Sequence, residues 1–513
     1  MPPNSKFLPF LVLAILGYVL LILGHGYVFG HLGTMETFPY LKELADPSLY
    51  PNDFYIEGIQ SRFPDVRWIF VQILRTFNII GPWAAFFVHL LSSLILLIGI
   101  QKVALIFTNN LTTSFWATMM TILILYNHNL GGNELYYNSL APSLLAKSIG
   151  IWAIYFFLKN RFNWVVLILI PTTFIHPMVG IQLFIIMAGL FGISWGIRLL
   201  GFRQTPLGER FKPFPWWAIL LYLLTAGTWI LMLQQSFNDA PISSDELFYI
   251  LFFRLGHHYF PSEYPLNDYL LLLPFLFFGW WYFWKQNLFV FWFYTLASVG
   301  LIVYFIGVEL AQIPTILSAQ WFKTTIWLKL FSSIALFVFI EKKVIEKNNF
   351  LRKLYTPISL IIFLSLGAFL FIKLPQRHPL TLDLPWRGAY NDRIKIALLA
   401  KATTPKDALF ITPSDFTHLK YYGERSTYVD YKATIHFHSK LQEWRHRIDQ
   451  IYQLPYSDIN SKLQLTSQGL FLNTDNEYLK KIGITHVIRK TTGSQKGTKG
   501  FVAQAGDYYI EAL

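Results

Sequence analysis

The chain has 513 residues, of which 54% are apolar, 18% are aromatic and only 14% are charged, whereas a soluble domain carries about 25% charged residues. This composition excludes an ordinary soluble enzyme. Charged residues become frequent after Leu374, so the sequence predicts a membrane-embedded domain over residues 1–375 and a polar domain over residues 376–513. The absence of cysteine from the sequence excludes disulfides, thiolate metal sites and thiol nucleophiles.

Eleven apolar runs predict membrane crossings, because about 20 apolar residues span the hydrocarbon core of a bilayer. The first run, Phe7 to Phe29, lacks a small-residue cleavage site and is interpreted as a retained anchor rather than a signal peptide. The others are predicted near residues 81–107, 113–128, 141–158, 163–177, 178–200, 214–234, 268–284, 287–307, 321–341 and 355–373.

Basic residues alternate between successive loops, which predicts the orientation of the chain. With a cytoplasmic N-terminus, one set of loops carries most of the loop lysines and arginines: Lys159, Arg161, Arg198, Arg203, Arg210, Lys212, Lys285, Lys342, Lys343, Lys347, Arg352 and Lys353. This positive-inside pattern also explains the net charge of +13 without a nucleic acid partner. The C-terminal domain is then extracytoplasmic, and function is expected on the outer face.

The first outer loop, residues 30–80, is too long for a simple turn. It contains an amphipathic stretch from Thr34, a turn-rich segment from Asp46 to Asp53 and a second amphipathic stretch from Asp65 to Phe77. The two amphipathic stretches are predicted to be helices that lie along the membrane surface.

The last 138 residues alternate helical and strand patterns, which predicts a small α/β domain. Helices are predicted over residues 393–401, 444–454 and 478–482, and strands over residues 408–411, 427–429 and 483–488.

Glu36 lies a few residues beyond the first predicted crossing, on an outer loop with apolar neighbours. A carboxylate near the membrane surface is partly desolvated, which raises its pKa and makes it a better proton acceptor. Glu36 is therefore a candidate general base, and the alternative is a solvated loop acid.

A second outer segment carries Arg254, His257 and His258 directly before Pro261. One permanent cation with two imidazoles suits a phosphate or a pyrophosphate. A metal site and a purely structural role are the alternatives.

Two lysines, Lys323 and Lys329, lie in the tenth predicted crossing. A lysine within a membrane segment is costly and is a functional candidate by default, with snorkelling to the interface as the alternative. His176 lies between two predicted crossings and directly before Pro177. It is predicted either to line an outer cavity together with the residues named above or to bind a backbone carbonyl near the proline.

This layout resembles the GT-C class of polytopic glycosyltransferases, which take sugars from polyprenyl-phosphate donors. The features that carry the resemblance are the long first outer loop with its acid, the later outer loops with Arg and His, and the outer C-terminal α/β domain. Glu36, within Gly33–Pro39, matches the acidic residue that serves the class as a base or metal ligand. The segments 46–53, 176–177 and 254–261 also resemble poorly characterised bacterial membrane proteins of GT-C-like topology.

The resemblance implies a mainly α-helical, GT-C-like polytopic fold in the bacterial inner membrane and a role in the cell envelope. It implies transfer of a sugar from a polyprenyl-phosphate donor, and the alternative is a non-catalytic or transport protein that binds a lipid-linked phosphate precursor. The expected partners are that lipid and the membrane, no cofactor is indicated, and a divalent metal is left open. Glu36 is the expected base, and the expected phosphate ligands are Arg254, His257, His258, Lys323 and His176.

Overall fold

The computed structural model describes residues 8–200, 216–377, 382–388, 391–452, 472, 475–491, 493–495 and 497–513. Its helices up to residue 377 are Leu8–His25, Phe38–Ala45, Phe54–Gln60, Trp68–Thr76, Pro82–Ala104, Leu111–Met119, Pro142–Leu158, Phe162–Ile175, Pro177–Leu199, Trp216–Tyr222, Thr228–Phe237, Ser244–Tyr259, Leu266–Gln286, Leu288–Phe305, Pro314–Leu317, Thr325–Ile340 and Asn349–Arg377. Short π-helical turns occupy Met120–Ile124, Leu223–Gly227, Ile306–Leu310 and Glu341–Ile345, and 3₁₀ turns occupy Leu32–Thr34, Pro261–Glu263 and Trp321–Thr324.

Each of the eleven apolar runs predicted from the sequence coincides with helix. In the described part of the chain, seven helical segments are long and apolar enough to cross a membrane: Leu8–His25, Pro82–Ala104, Pro177–Ile197, Trp216–Phe237, Leu288–Leu310, Pro314–Ile345 and Asn349–Lys373. Shorter apolar helices cover Leu111–Ile124, Pro142–Leu158 and Phe162–Ile175. The chain is thus an integral membrane protein with the predicted mainly α-helical fold class, and the number of crossings stays a prediction.

Some residues used in the sequence analysis lie outside the described residues, namely Phe7, Arg203, Arg210, Lys212, Gln453 and Leu454.

Local sequence explains where several of these helices begin. Pro142 and Pro177 occupy the first helical position, where a missing N–H is tolerated and the fixed φ suits a helix. The side chains of Asn110 and Asn287 accept hydrogen bonds from the backbone N–H groups of Thr112 (2.8 Å) and Val290 (3.1 Å). These caps satisfy donors that a helix leaves open at its start.

The chain divides into two compact units. The first unit consists of Met1–Gly26, Val88–Ile230 and Leu255–His378, and the second consists of Tyr27–Phe87, Leu231–Arg254 and Pro379–Leu513. In the first unit, helix Thr325–Ile340 packs against Leu266–Gln286 and Leu111–Met119. It lies within the most enclosed of the candidate spans, of whose apolar window 78% is buried. Side chains of this helix are therefore largely shielded from lipid.

The second unit holds residues 30–80, the segment predicted to be the first outer loop. Both stretches predicted to be helical contain helix, as Phe38–Ala45 and Trp68–Thr76, and a further helix, Phe54–Gln60, lies between them. Asp53 caps that further helix, since its Oδ1 accepts from the backbone N–H groups of Tyr55 (3.1 Å) and Ile56 (3.0 Å).

The C-terminal region of the second unit is α/β, as predicted. It contains helices Asp392–Thr403, His438–Ile451 and Asn476–Lys481, a π-helical turn Leu419–Gly423, and strands β1 (Leu409–Ile411), β2 (Ser426–Thr427), β3 (His486–Lys490), β4 (Phe501–Ala505) and β5 (Tyr508–Ala512). The strand order is β2-β1-β3-β5-β4. Strand β1 is parallel to β2 and β3, whereas β5 is antiparallel to β3 and β4. The sequence analysis missed the β4–β5 hairpin.

Candidate functional site

Glu36 lies in the second unit and is held at two points. Its carboxylate forms an ion pair with the guanidinium of Arg67, and each of the two side chains is 15% exposed. Its backbone carbonyl accepts a hydrogen bond from the hydroxyl of Tyr55 at 3.1 Å. Glu36 is therefore a largely buried, paired carboxylate rather than a solvated loop acid.

Arg67 is positioned by the turn that opens helix Trp68–Thr76. Oδ1 of Asp65 accepts the backbone N–H of Arg67 at 2.8 Å. Burial by itself lowers the pKa of Arg67, but the carboxylate of Glu36 raises the pKa above its usual value, so the guanidinium stays charged. Burial raises the pKa of the Asp65 carboxyl group, and the charge of Arg67 opposes that effect.

Arg254, near the end of helix Ser244–Tyr259, belongs to the same unit. Its Nη2 donates a hydrogen bond to the carbonyl oxygen of Lys432, and its guanidinium lies 5.3 Å from the ring centre of Tyr431. Burial lowers the pKa of Arg254, while Tyr431 and Glu36 oppose this and Arg67 adds to it. Burial is the main cause that lowers the pKa of Lys432, and the charge of Arg254 lowers it further. The charge of Glu36 opposes this decrease.

These side chains form one electrostatic group, which we call the Glu36 cluster: Glu36, Asp65, Arg67, Arg254 and Lys432. Its three cations face two carboxyl groups. Among the described residues, Nη1 of Arg67, Nε of Arg254 and Oδ2 of Asp65 are buried without a hydrogen-bond partner. An unsatisfied buried donor costs about 1–3 kcal/mol, and buried positive charge needs a counter-ion. The cluster therefore suits an anionic ligand.

In the first unit, the structure brings His257, His258 and Lys323 to one loop. A Cβ atom on Gly131 would lie 2.8 Å from the backbone nitrogen of Lys323, and one on Gly132 would lie 2.7 Å from Nδ1 of His258. These glycines have φ of +105° and +56°, values that glycine adopts without strain. The rings of His257 and His258 are 4.0 Å apart between centroids. Two glycines thus let this loop approach both predicted phosphate-binding segments.

Glu134 anchors the same loop. Its carboxylate accepts from Nζ of Lys329 (2.7 Å), from the backbone N–H of Asn127 (2.9 Å) and from Nδ2 of Asn129 (2.9 Å). Lys329 also donates to the carbonyl oxygens of Leu125 and His128, at 3.0 Å each. Lys329 therefore neither snorkels nor offers its charge to a ligand, because its donors hold the loop.

Two further lysines lie beside that loop. Nζ of Lys147 donates a hydrogen bond to Oδ1 of Asn133, and Lys147 interacts electrostatically with the half-buried Lys323. We call Glu134, Lys147, Lys323 and Lys329 the Glu134 cluster. This cluster holds three lysines and one glutamate, and Lys323 stays a candidate for binding an anion.

His176 ends helix Phe162–Ile175 and directly precedes the helix that starts at Pro177. On that next helix, Nε2 of Gln182 donates to the carbonyl oxygens of Ala319 (2.9 Å) and Gln320 (3.0 Å). The helix after His176 thus reaches the turn that leads to Lys323. Glu36 and Arg254 belong to the second unit and the other four predicted site residues to the first, and a cavity shared by all six stays a prediction.

The sequence analysis missed Arg67, Lys432, Glu134 and Lys147. Lys147 lies inside the apolar run 141–158, which is the same signal that marked Lys329. Arg67 was treated only as part of an amphipathic stretch. No local pattern connects Lys432 with Glu36, because they are far apart in sequence.

A metal ion does not fit the residues present at Glu36, because its carboxylate meets the guanidinium of Arg67. Among the described residues, no group of three or more His, Asp or Glu side chains is arranged to hold a metal ion.

These features define an integral membrane protein with cation-rich clusters in both of its units. A family model described as a domain of unknown function, DUF6798, matches residues 391–451. No curated protein matches the chain. The chain is similar to the crystal structure of ArnT from Cupriavidus metallidurans bound to undecaprenyl phosphate, with 12% identity over 99% of this chain and 98% of that chain and a TM-score of 0.45. A likeness of this degree assigns no residue roles.

Proposed function

We propose that the chain is a membrane glycosyltransferase that moves a sugar from a polyprenyl-phosphate donor to an acceptor on the extracytoplasmic face. The observation that supports this most directly is the Glu36 cluster, where a largely buried carboxylate is paired with Arg67 and interacts electrostatically with Arg254 and Lys432. The departing lipid phosphate gains negative charge, which Arg254 and Arg67 stabilise. Glu36 accepts the proton of the acceptor hydroxyl.

In this proposal Lys323, His257, His258 and His176 also serve the lipid phosphate, in the first unit. The support is the Glu134 cluster, because Glu134 is already bound by Lys329, and no ion pair of Lys323 is formed within the described part of the chain. The paired Glu134 and Lys329 keep the glycine loop in place beside the two histidines.

The binding step is tested by removing one positive charge at a time. Arg254→Gln and Lys323→Gln are each expected to weaken binding of dodecyl phosphate to the purified full chain about tenfold, since a charge-assisted hydrogen bond contributes about 1.5–3 kcal/mol. Isothermal titration calorimetry measures the affinity. Lys395→Gln is the matched control, because Lys395 is 51% exposed and forms an ion pair with the neighbouring Asp392. Wild-type affinity in both site variants would contradict the assignment.

We also propose that the C-terminal domain lies outside the cytoplasm of a bacterial inner membrane, as the alternation of basic loops indicates. A reporter that is active only in the periplasm, fused after Leu513, is expected to be active. Activity only of a cytoplasmic reporter at the same position would contradict this orientation.

A non-catalytic or transport protein that binds a lipid-linked phosphate is the second candidate. The observation that favours it is the ion pair with Arg67, because a carboxylate that is paired with a guanidinium is a weak proton acceptor. Tight binding of the lipid phosphate by the wild-type chain without sugar transfer to any acceptor would support this candidate.

A further inference from the structure

The ion pair between Arg67 and Glu36 prevents each of them from serving its proposed role. A carboxylate that accepts a proton must be released from its cation, because ion pairing favours the charged form. A guanidinium that binds phosphate must offer its N–H groups, and Nη2 of Arg67 is occupied by Glu36. Nη1 of Arg67 is buried and has no hydrogen-bond partner within the described residues.

We propose that Glu36 occupies the place on Arg67 that a non-bridging oxygen of the lipid phosphate takes when the donor binds. Binding of the anion and release of the Glu36 carboxylate are then the same event. This inference rests on the proposed function, and it makes Arg67 a phosphate-binding residue that keeps the base in an ion pair until the phosphate of the donor arrives.

The contacts around the pair allow this exchange without movement of the backbone. Tyr55 holds the carbonyl of Glu36, and Asp65 holds the N–H of Arg67, so only the Glu36 side chain needs to turn away. Nε of Arg254 is a second buried donor for the incoming oxygens. The phosphodiester of the donor carries one negative charge, which replaces the charge of Glu36 on Arg67. The departing phosphate monoester carries a charge of about −1.5 to −2 near pH 7, which the cations of the cluster compensate.

The exchange predicts that removal of the competing carboxylate tightens anion binding. Glu36→Gln is expected to bind dodecyl phosphate about threefold to tenfold more tightly than the wild-type chain, since the phosphate no longer has to displace the carboxylate from its ion pair with Arg67. Glu36→Asp keeps the charge but shortens the reach, so an intermediate gain is expected. Glu424→Gln is the matched control, because Glu424 is 18% exposed in the same unit and pairs with Lys42 and Lys401 instead.

A double-mutant cycle distinguishes exchange at Arg67 from a general effect of charge. In an Arg67→Gln background the gain from Glu36→Gln is expected to disappear, because the two groups no longer compete. A gain that persists without Arg67, or an equal gain in Glu424→Gln, would overturn the proposal. If Arg67 were needed only for folding, Arg67→Gln would lower both the affinity and the melting temperature. The affinity gain from Glu36→Gln would then persist in the Arg67→Gln background.

Inorganic phosphate and dodecyl phosphate are titrated in parallel with the full chain. An equal gain with both identifies the phosphate group itself as the exchanging anion, and a gain only with dodecyl phosphate identifies a lipid-borne phosphate. No gain with either refutes the exchange. These measurements involve no turnover, so absence of sugar transfer would refute the proposed function and leave the exchange tested separately.

Discussion

Glu36→Gln is expected to lower the rate of sugar transfer by about 10²-fold to 10⁴-fold, the usual contribution of a general base. The amide keeps the size of the side chain but cannot accept the proton of the acceptor hydroxyl. Binding of the donor lipid is expected to survive, because the cations of the Glu36 cluster are unchanged. A loss of turnover without a loss of affinity is the mark of an interaction that matters only in the transition state.

The measurement is transfer of a radiolabelled sugar from a polyprenyl-phosphate donor by the purified full chain, alongside titration with dodecyl phosphate. Glu424→Gln serves as the control and is expected to retain transfer, since its partners are Lys42 and Lys401. Undiminished transfer by Glu36→Gln would show that another group is the base.

The helices were predictable because their cause is local. Apolar runs of sufficient length mark each helix of the membrane part, and prolines and asparagines mark several of the starts. The same holds for the α/β region, where β1 is a continuous apolar run and β3 contains the apolar pair Val487 and Ile488. The β4–β5 hairpin was missed because neither of its strands is buried along its length, so its apolar pattern is weak.

Only some members of the charged clusters were predictable, because a sequence can mark a single residue as unusual but does not show which distant residue it contacts. The outer-loop position of Glu36 and the lysine at 323 are unusual by themselves, whereas the surplus charge around Glu36 depends on Lys432, almost 400 residues later. Asp53 shows the same limit. Its capping of a helix follows from turn chemistry, but its ion pair with Lys420 becomes visible only in the folded chain.

Lys420 forms the most enclosed ion-pair network of the second unit among the described residues. Its Nζ lies 2.8 Å from Oδ1 of Asp53 and 2.5 Å from Oδ2 of Asp430, and these side chains are 1%, 0% and 6% exposed, respectively. Thr427 donates to Oδ2 of Asp53 from both its backbone N–H (2.8 Å) and its hydroxyl (3.1 Å). The network therefore links the first outer loop with strand β2 and the segment that follows it.

Lys420→Met is expected to lower the free energy of unfolding by about 3–5 kcal/mol, because it leaves two buried carboxyl groups without their cation. Lys395→Met is the control, and it is expected to change stability by less than about 0.5 kcal/mol. Denaturant titration of the full chain, followed by tryptophan fluorescence, measures both.

The loss of stability in Lys420→Met is also expected to depend on pH. Burial raises the pKa of Asp430, and Lys420 opposes that rise, so the variant's folded state is expected to hold more protons than its unfolded state. Its stability deficit should therefore shrink as the pH falls from 8 to 5, and a deficit that is equal to that of Lys395→Met, or independent of pH, would contradict this role for Lys420.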